Sequence, residues 1–222
     1  MVVTFLQHAS FLVECEKVAL LFDYVEGEVM LPKTKDLFVF ASHRHGDHYN
    51  KKIFDLPAKA FVLSSDIPVE DIPRGIVVHR MGPHQRIEVD ELVISTLRST
   101  DEGVAFLIEV EGRVIYFAGD LNNWFWEEEG EEYTSRMERE YHEEIDRLPE
   151  AVDLAFVPVD PRLGRWSDLG ALDLLERVSV SHLVPMHMWG EFAVGDALKE
   201  ALSSHDVEVL AARGTGQIWR VG

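Results

Sequence analysis

An apolar segment that runs directly into a cluster of histidines constrains this chain more than any other feature of its sequence. Residues 38–41, Phe-Val-Phe-Ala, have the composition of a buried strand. The next positions carry four side chains of types that bind metal ions: His43, His45, Asp47 and His48. The fold must therefore place a buried strand directly before either a metal-binding loop or a histidine-rich surface turn.

The spacing within this loop favours the metal interpretation. Side chains two positions apart on an extended segment point the same way, so His43 and His45 approach one ion together. Asp47 and His48 follow the turn at Gly46 and face a second position close by. Neutral imidazole and carboxylate are ligand types that zinc, iron and manganese accept. The sequence therefore predicts a metal site, and a histidine-rich surface loop is the weaker alternative.

Short apolar segments with polar breaks between them predict that strands dominate the first half of the chain. In the second half, segments with the period of helices alternate with apolar segments of strand length. That order is typical of a layered α/β domain with sheets at the centre and helices outside. The predicted strands lie at residues 2–7, 10–15, 18–23, 36–42, 60–65, 75–80, 91–96, 104–110, 113–120, 152–160, 180–187, 207–212 and 216–221, and the predicted helices begin after Asn50 and near residues 133, 167 and 194.

The clearest predicted helix covers residues 133–148, where apolar side chains recur every three to four positions. Ser135 followed by Glu138 has the pattern of a capping box at its start, and Pro149 lies just past its end. We interpret the tyrosines and Met137 on this helix as a core-facing stripe and not as a ligand-binding one.

Four segments of the chain carry a resemblance. "SHRHGDH", residues 42–48, matches the His-x-His-x-Asp-His signature of the metallo-β-lactamase superfamily. "LLFDY" is similar to the family's strand that ends in an early buried aspartate, here Asp23. "IYFAGD" resembles its strand ending in Gly-Asp, here Asp120, and "HLVPMH" its late strand ending in a histidine, here His187. Because these segments follow the family's order, the resemblance covers essentially the whole chain.

The resemblance implies a four-layer αββα sandwich built as a single domain over residues 1–222, with the site at one edge of the paired sheets. It implies that His43 and His45 hold metal one and that Asp120 bridges two metals. Asp23 is implied to support the metal loop without binding metal. The implied ligands of metal two are Asp47, His48 and His187.

One ligand of the family's first metal is missing from this sequence. The family supplies a further histidine before its Gly-Asp strand end, but His79 and His84 lie ahead of the position where it belongs. The corresponding loop is "RSTDEG", in which Asp101 is either a substitute oxygen ligand or a solvated carboxylate. The predicted cofactor is one or two divalent metal ions, with zinc first and iron or manganese as alternatives.

The composition of the chain limits the classes of partner that it is expected to bind. The chain has 40 acidic and 21 basic residues and a formal net charge of −19, which repels phosphate backbones and argues against nucleic acid as a partner. Cys15 is the only cysteine and is interpreted as a small core residue. Without a signal-peptide pattern or an apolar stretch of membrane length, the expectation is a cytoplasmic protein with no membrane partner.

Three segments, "STDEG", "AGDLN" and "PVDPRLG", resemble a branch of uncharacterised metal-dependent hydrolases. The implied reaction is attack by a metal-bound hydroxide on an ester, thioester, amide or phosphodiester. Because nuclease relatives generally add a second domain that clamps the nucleic acid, a small-molecule substrate is expected. The alternative is a non-hydrolytic metal-binding sensor or partner module whose first metal position is incomplete.

Asp47 and His8 are the predicted catalytic residues. Asp47 is expected to handle the proton of the attacking water. His8 ends the first predicted strand, where several relatives have a histidine near the metal site, although an isolated turn histidine is often only solvated.

Other side chains are candidates for the mouth of the site. Asp160 either reaches that mouth or forms an Asp-Pro turn. Arg162 offers a guanidinium to an anionic substrate group. The tryptophans that follow the two strand-end ligands either line the pocket wall or pack elsewhere: Trp124, Trp126 and Trp189.

Overall fold

The computed structural model describes residues 1–222 and contains two seven-stranded sheets that pack face to face. The first sheet has the order β14-β1-β2-β3-β4-β5-β6 and the second the order β13-β12-β11-β10-β9-β8-β7, with strands numbered along the chain. Their bounds are β1 Val2–Gln7, β2 Ser10–Glu14, β3 Val18–Phe22, β4 Asp36–Ala41, β5 Ala60–Ser64, β6 Val78–Met81, β7 Arg86–Val89, β8 Leu92–Arg98, β9 Val104–Val110, β10 Arg113–Phe117, β11 Ala151–Pro158, β12 Ser179–Met186, β13 Glu208–Val209 and β14 Ile218–Arg220.

Each sheet is antiparallel on one side and parallel on the other. β3 to β6 run parallel in the first sheet, and β10 to β13 run parallel in the second. The loops that leave parallel strands at their carboxyl ends meet at one edge of a sheet, which is where α/β proteins place their sites. Backbone hydrogen bonds tie the two sheets together at this edge, from Val104 N to Ser42 O at 3.0 Å and from His187 N to His8 O at 3.2 Å.

The central strands of the first sheet bury both faces, as their unbroken apolar runs predict. Phe22 and Phe40 belong to the core between the two sheets. Their neighbours Leu21 and Val39 belong to a separate cluster on the outer face, together with Ile53. The alternation follows the two-residue period of extended chain.

Phenylalanines form the part of the inter-sheet core that lies directly beneath the loops of this edge. The Phe22 ring stacks on Phe117 of the second sheet with centroids 4.6 Å apart, and Phe11 meets Phe156 at 4.7 Å. Aromatic pairs of this kind contribute about 0.5–1.5 kcal/mol each beyond their buried area. Because Phe22 immediately precedes Asp23, this packing fixes the start of a loop that carries chemistry.

Helices cover the outer faces of both sheets, which confirms the predicted αββα sandwich. The α-helices are α1 (Glu131–Ile145), α2 (Leu169–Arg177) and α3 (Ala193–Ala201), and all three contact the second sheet. The first sheet is covered by a 3₁₀ helix, Lys51–Asp55, whose Ile53 packs in the outer cluster. The Asn50 side chain accepts a hydrogen bond from Lys52 N, as expected of the predicted N-cap.

The predicted start of α1 is wrong. The helix begins at Glu131 after Gly130, so Ser135 and Glu138 lie inside it and form no capping box. The acidic run before it supplies Glu131 and Glu132 to the first turn, where negative side chains favour the positive end of the helix dipole. Met137 and Tyr141 are buried, as the apolar stripe predicted.

Two smaller expectations can be compared directly with the structure. No helix combines the length and hydrophobicity needed to cross a bilayer. Cys15 is buried in the inter-sheet core, and burial, with a smaller contribution from Glu111, raises the pKa of its thiol to about 11. A thiol with so high a pKa is a poor nucleophile at neutral pH.

Candidate metal centre

The residues singled out in the sequence come together at the edge where the parallel strands end. The histidine-rich loop follows β4, and His8 follows β1 in the same sheet. From the second sheet, Asp120 lies just beyond β10, His187 directly follows β12, and Asp101 lies in the turn between β8 and β9. Five separate connections therefore supply one cluster of side chains.

Asp120 stands at the centre of this cluster. Its Oδ1 lies 3.2 Å from His48 Nε2 and 3.5 Å from His187 Nε2, and its Oδ2 lies 3.5 Å from His43 Nε2. The carboxylate is almost fully buried. Each of its two oxygens thus faces a different histidine group, which is the arrangement that a carboxylate shared between two ions needs.

The donor atoms fall into four overlapping groups, and within each group they lie within 4.8 Å of one another. That spacing allows one ion to contact all members of a group. The groups are His43, His45 and Asp47; His43, His48 and Asp120; His45, Asp101 and Asp120; and His8, Asp47, His48 and His187.

Buried donor atoms without hydrogen-bond partners test whether these residues fit a metal. The Nε2 atoms of His43, His48 and His187 are buried and make no hydrogen bond, and the same holds for Asp120 Oδ1 and His8 Nε2. Leaving one such atom unpaired costs about 1–3 kcal/mol, and these atoms belong to overlapping donor groups around His48. Divalent cations held by these groups would satisfy them, and the donor set of imidazoles and carboxylates suits such ions.

Asp23 holds the loop in the way that the resemblance implied. Its carboxylate is fully buried and accepts hydrogen bonds from Ser42 N at 2.7 Å, Ser42 Oγ at 2.6 Å and His48 Nδ1 at 2.7 Å. The Ser10 hydroxyl also donates to the backbone oxygen of Asp23. Because Asp23 accepts from Nδ1 of His48, Nε2, which faces the cluster, is the atom of that imidazole that can bind an ion.

Asp160 does for His187 what Asp23 does for His48. It is fully buried, and its Oδ2 accepts a hydrogen bond from His187 Nδ1 at 2.8 Å. The same carboxylate accepts bonds from Arg162 and from Trp189 Nε1. Both interpretations that the sequence left open hold, because Asp160 also caps the turn that begins at Pro161 by accepting a hydrogen bond from Arg162 N at 2.9 Å. Its role in orienting a histidine had no signal in the sequence.

Ser42 and two glycines are functional positions that sequence reasoning missed. Ser42 Oγ lies 3.0 Å from His43 Nδ1 and donates to Asp23, so it joins the two sides of the loop. Gly103 and Gly119 pack against Ser42 so closely that neither leaves room for a Cβ atom. Both adopt positive φ angles, +72° and +54°, at which glycine carries the least strain.

Gly103→Ala is expected to distort the centre. A Cβ at Gly103 would overlap Ser42 O and stand 2.5 Å from His43 Cβ. Gly112→Ala is the matched control, since Gly112 has φ +74° but nothing within 4 Å of an added Cβ. We expect Gly103→Ala to lower the free energy of unfolding by about 1–3 kcal/mol more than the control does, measured by urea denaturation. Equal losses in the two variants would contradict the close approach.

The carboxylates around His48 favour a positive charge at its Nε2, which either a proton or a divalent cation can supply. Burial opposes a charge on His48, but Asp120 and Asp23 outweigh it and raise the pKa of His48 to about 10. Burial acts to raise the pKa of Asp120, but the surrounding histidines outweigh it and hold that pKa well below its usual range. The interaction with His8 is the largest cause of the lowered pKa of Asp47. These carboxylates are therefore ionised and suited to a divalent cation.

His8 and His43 are neutral at neutral pH, because burial is the main cause of a lowered pKa in both imidazoles. Neutral imidazole is the form that binds metal or accepts a proton. His8 Nε2 lies 3.5 Å from Asp47 Oδ2, and its ring lies 4.1 Å from that of His187. The structure thus places His8 among the clustered donors and not in a solvated turn.

The backbone is strained where the cluster forms. His8, Asp23 and His187 have φ angles of +40°, +42° and +64°, in the left-handed region that residues other than glycine rarely adopt. Each of the three directly follows a strand or lies just beyond its end. Strain of this kind concentrates at functional sites, where the surrounding packing imposes it.

A small cavity of about 210 Å³ opens onto this cluster. Its floor contains Asp101, Asp120 and His187. The Trp124 side chain is anchored by a hydrogen bond from Nε1 to Asp120 O at 3.0 Å. The remaining lining residues are Thr100, Trp124, Trp126, Tyr133 and Arg162, of which Tyr133 was predicted only to pack in the core.

The chain matches the family model described as the beta-lactamase superfamily domain over residues 2–187. It belongs to the beta-lactamase superfamily. It is 28% identical over 211 residues to a UPF0173 metal-dependent hydrolase of Desulforamulus reducens, and the match covers 84% of each chain. The resemblance to the metallo-β-lactamase superfamily is thereby confirmed.

Solved structures agree with the superfamily fold. Igni18, a metallo hydrolase from Ignicoccus hospitalis, superposes with a TM-score of 0.69 at 19% identity over 99% of this chain and 98% of that one. CmlA, a diiron β-hydroxylase from Streptomyces venezuelae, gives a TM-score of 0.65 at 14% identity over 99% of this chain and 54% of that one. At these identities the likeness concerns the fold alone.

The superfamily's missing histidine position corresponds to a loop that lies at the cluster. Asp101 is within reach of both His45 and Asp120, and the pKa of Asp101 is raised by partial burial and by the charge of Asp120. Thr100 Oγ1 donates to Asn122 O at 2.6 Å, which ties this loop to the segment after Asp120. The loop therefore presents a carboxylate to the cluster.

The remaining histidines lie outside the cluster. His84 pairs with Glu144 at 2.8 Å, and His142 pairs with Asp173 at 3.1 Å. His182 lies 3.4 Å from Glu208. None of these three histidines belongs to a donor group of the cluster.

Proposed function

We propose that this chain is a metal-dependent hydrolase that acts on a small molecule containing an ester, thioester, amide or phosphodiester bond. The observation that carries the proposal is the convergence of buried, unpaired imidazole and carboxylate atoms around Asp120. The superfamily assignment and a relative named metal-dependent hydrolase support it. We propose zinc as the first metal to test, with iron and manganese as alternatives.

The proposed ligands divide into two positions. The first takes His43, His45 and Asp101, and the second takes Asp47, His48 and His187, while Asp120 is shared. Asp101 fills the place of the family's missing histidine. This supports the hydrolase over a metal-binding module with an incomplete first position.

A metal held there lowers the pKa of a coordinated water towards neutrality and so supplies a nucleophile at neutral pH. Residues of the chain take up the proton that this water releases. We assign the first contact with that proton to Asp47, whose ionised and partly exposed carboxylate can accept a hydrogen bond from the water and connect it to solvent. His8 lies 3.5 Å from Asp47 Oδ2 and carries a neutral imidazole, which makes it the second proposed proton carrier. Asp160 holds His187 in one orientation throughout.

The surroundings of the site support a small substrate. The cavity of about 210 Å³ is smaller than the roughly 300–1,000 Å³ of sites for drug-sized ligands. The net charge of −19 disfavours nucleic acid. We also propose that residues 1–222 act as one domain, because β14 near the end of the sequence pairs with β1 at its start.

Metal analysis of a histidine variant tests the proposal. We expect purified protein to carry between one and two equivalents of divalent metal, and His48→Ala to lose most of the metal of the second position together with hydrolysis of the best substrate in an ester, thioester and phosphodiester screen. The matched control is His205→Ala, an exposed histidine outside every donor group, which should keep both. Wild-type protein that binds no metal when zinc, iron or manganese is supplied would contradict the proposal.

A further inference from the structure

We propose that Arg162 binds the substrate and that the cavity takes small molecules carrying a carboxylate or phosphate group beside a flat apolar part. This proposal names the substrate class for the site described above, and it rests on the proposed function in that respect. It is carried by the geometry of Arg162, by the charge around it and by the aromatic wall of the cavity.

The Arg162 guanidinium is held in place but only partly satisfied. Its Nε lies 2.9 Å from Asp160 Oδ1 and its Nη2 lies 2.5 Å from Asp160 Oδ2, while Nη1 makes no hydrogen bond to the protein. The plane of the group is also fixed by aromatic rings, with Trp189 at 4.7 Å and Trp126 at 5.8 Å. A guanidinium fixed in this way loses little side-chain entropy when it binds an anion.

The position of Arg162 relates it directly to the proposed reaction. It lines the same cavity as Asp120 and His187. Asp160 joins it to the centre, since one carboxylate oxygen accepts from both His187 Nδ1 and Arg162. An anion bound by Arg162 in this cavity would therefore share it with Asp120 and His187.

The negative charges around the cavity would repel an anionic substrate if Arg162 did not offset them. The chain carries a net charge of −19, and the cavity floor contains Asp101 and Asp120. Arg162 is the only permanently cationic side chain of the lining. Its hydrogen bonds to Asp160 raise the pKa of Arg162 above its ordinary value, so the charge persists at every working pH.

The aromatic wall next to Arg162 suits an apolar group. The rings of Trp124 and Trp126 are nearly parallel, with 6° between their planes and centroids 6.5 Å apart, and Tyr133 lines the same cavity. Flat apolar groups pack well against such a surface. The cavity therefore offers a charged contact at Arg162 and an apolar contact along the neighbouring tryptophans.

Binding of two isosteric probes tests the proposal without requiring turnover. Protein loaded with zinc is titrated with phenylacetate and with phenylacetamide, which differ in charge but hardly in shape, and tryptophan fluorescence reports occupancy of the cavity. We expect phenylacetate to bind at least about tenfold more tightly, because a hydrogen bond from the guanidinium to a charged carboxylate is stronger than one to a neutral amide oxygen. Displacement of phenylacetate by inorganic phosphate would assign the site to phosphate-bearing molecules as well, and failure to displace it would restrict the site to carboxylates.

Arg162→Gln should abolish the preference for the anion, and Arg162→Lys should restore part of it. Arg165→Gln is the matched control, because Arg165 belongs to the same 3₁₀ segment and also stacks on a tryptophan, but does not line the cavity. Zinc content is measured for every variant, so that a lost preference is compared only among proteins with equal metal.

A wild-type protein that binds both probes equally would overturn the proposal, as would a preference that survives in Arg162→Gln, since the anion would then be held elsewhere. Neither result would affect the hydrolase proposal, which depends on metal content and on turnover of neutral substrates. Conversely, an anion preference that depends on Arg162 in a protein without hydrolytic activity would support the binding site and contradict the hydrolase.

Discussion

Asp120→Asn is expected to lower hydrolytic activity by more than about 100-fold and to remove at least one equivalent of metal. Loss of a residue that only supports a metal ligand typically costs 10–100-fold, and Asp120 is itself the proposed shared ligand. Its two oxygens face His48 and His187 on one side and His43 on the other, so the change reaches both metal positions. Metal analysis and the rate on the best substrate measure the two effects.

Asparagine is nearly the same size as aspartate, so the variant should fold. Its loss of metal and activity can then be assigned to the missing charge. Asp173→Asn is a suitable control, because Asp173 accepts hydrogen bonds from Asn123 and His142 behind the site and belongs to no donor group. An Asp120→Asn protein with full metal and at least half of the activity would show that the carboxylate is not a ligand.

Asp23→Ala is expected to lower the free energy of unfolding by about 3–5 kcal/mol, the usual cost of removing one partner of a buried charged pair. The change strips Ser42 N–H, Ser42 Oγ and His48 Nδ1 of their acceptor in a place that solvent does not reach. Urea denaturation measures the loss. Asp36→Ala is the control, because its ion pair with Lys59 is exposed and such pairs contribute about 0–1 kcal/mol.

The milder change Asp23→Asn separates support of the fold from support of the metal. An amide in this position can donate to His48 Nδ1, which moves the imidazole proton to Nε2 and blocks the atom that faces Asp120. Metal affinity should then fall by about 10–100-fold while most stability remains. Unchanged metal affinity in Asp23→Asn would mean that Asp23 only holds the loop.

The fold was predictable because its signals are local. Apolar runs such as residues 38–41 and 154–157 read as strands, and their order along the chain indicated sheets covered by helices. The start of helix α1 was harder to predict. The sequence contains a capping pattern at Ser135, but the helix already includes Glu131 to Thr134. Its N-cap is Gly130.

The contributors to the centre were predictable for the same reason. His43, His45, Asp47 and His48 lie within six residues, so their residue types and spacing indicated metal chemistry, whereas Asp120 and His187 were indicated by the resemblance of their strand ends to those of the superfamily. Their partners were less visible. Asp160 acts by a hydrogen bond to His187, which is remote in sequence, and Ser42 by a contact with its neighbour His43. No pattern of residue types distinguishes the two from ordinary strand-end polar groups.

The sequence by itself therefore determined a layered α/β domain and the histidine-rich loop able to bind metal, because both depend on residue type and on short-range spacing, and the resemblance of its motifs added the αββα arrangement. Only the tertiary structure decided that Asp101 lies within reach of His45 and Asp120 and that Asp160 orients His187 while fixing Arg162. These relationships join loops of different strands, and their distances depend on how two sheets pack. The packing of phenylalanines beneath the loops sets that separation, and with it the chemistry that the edge can support.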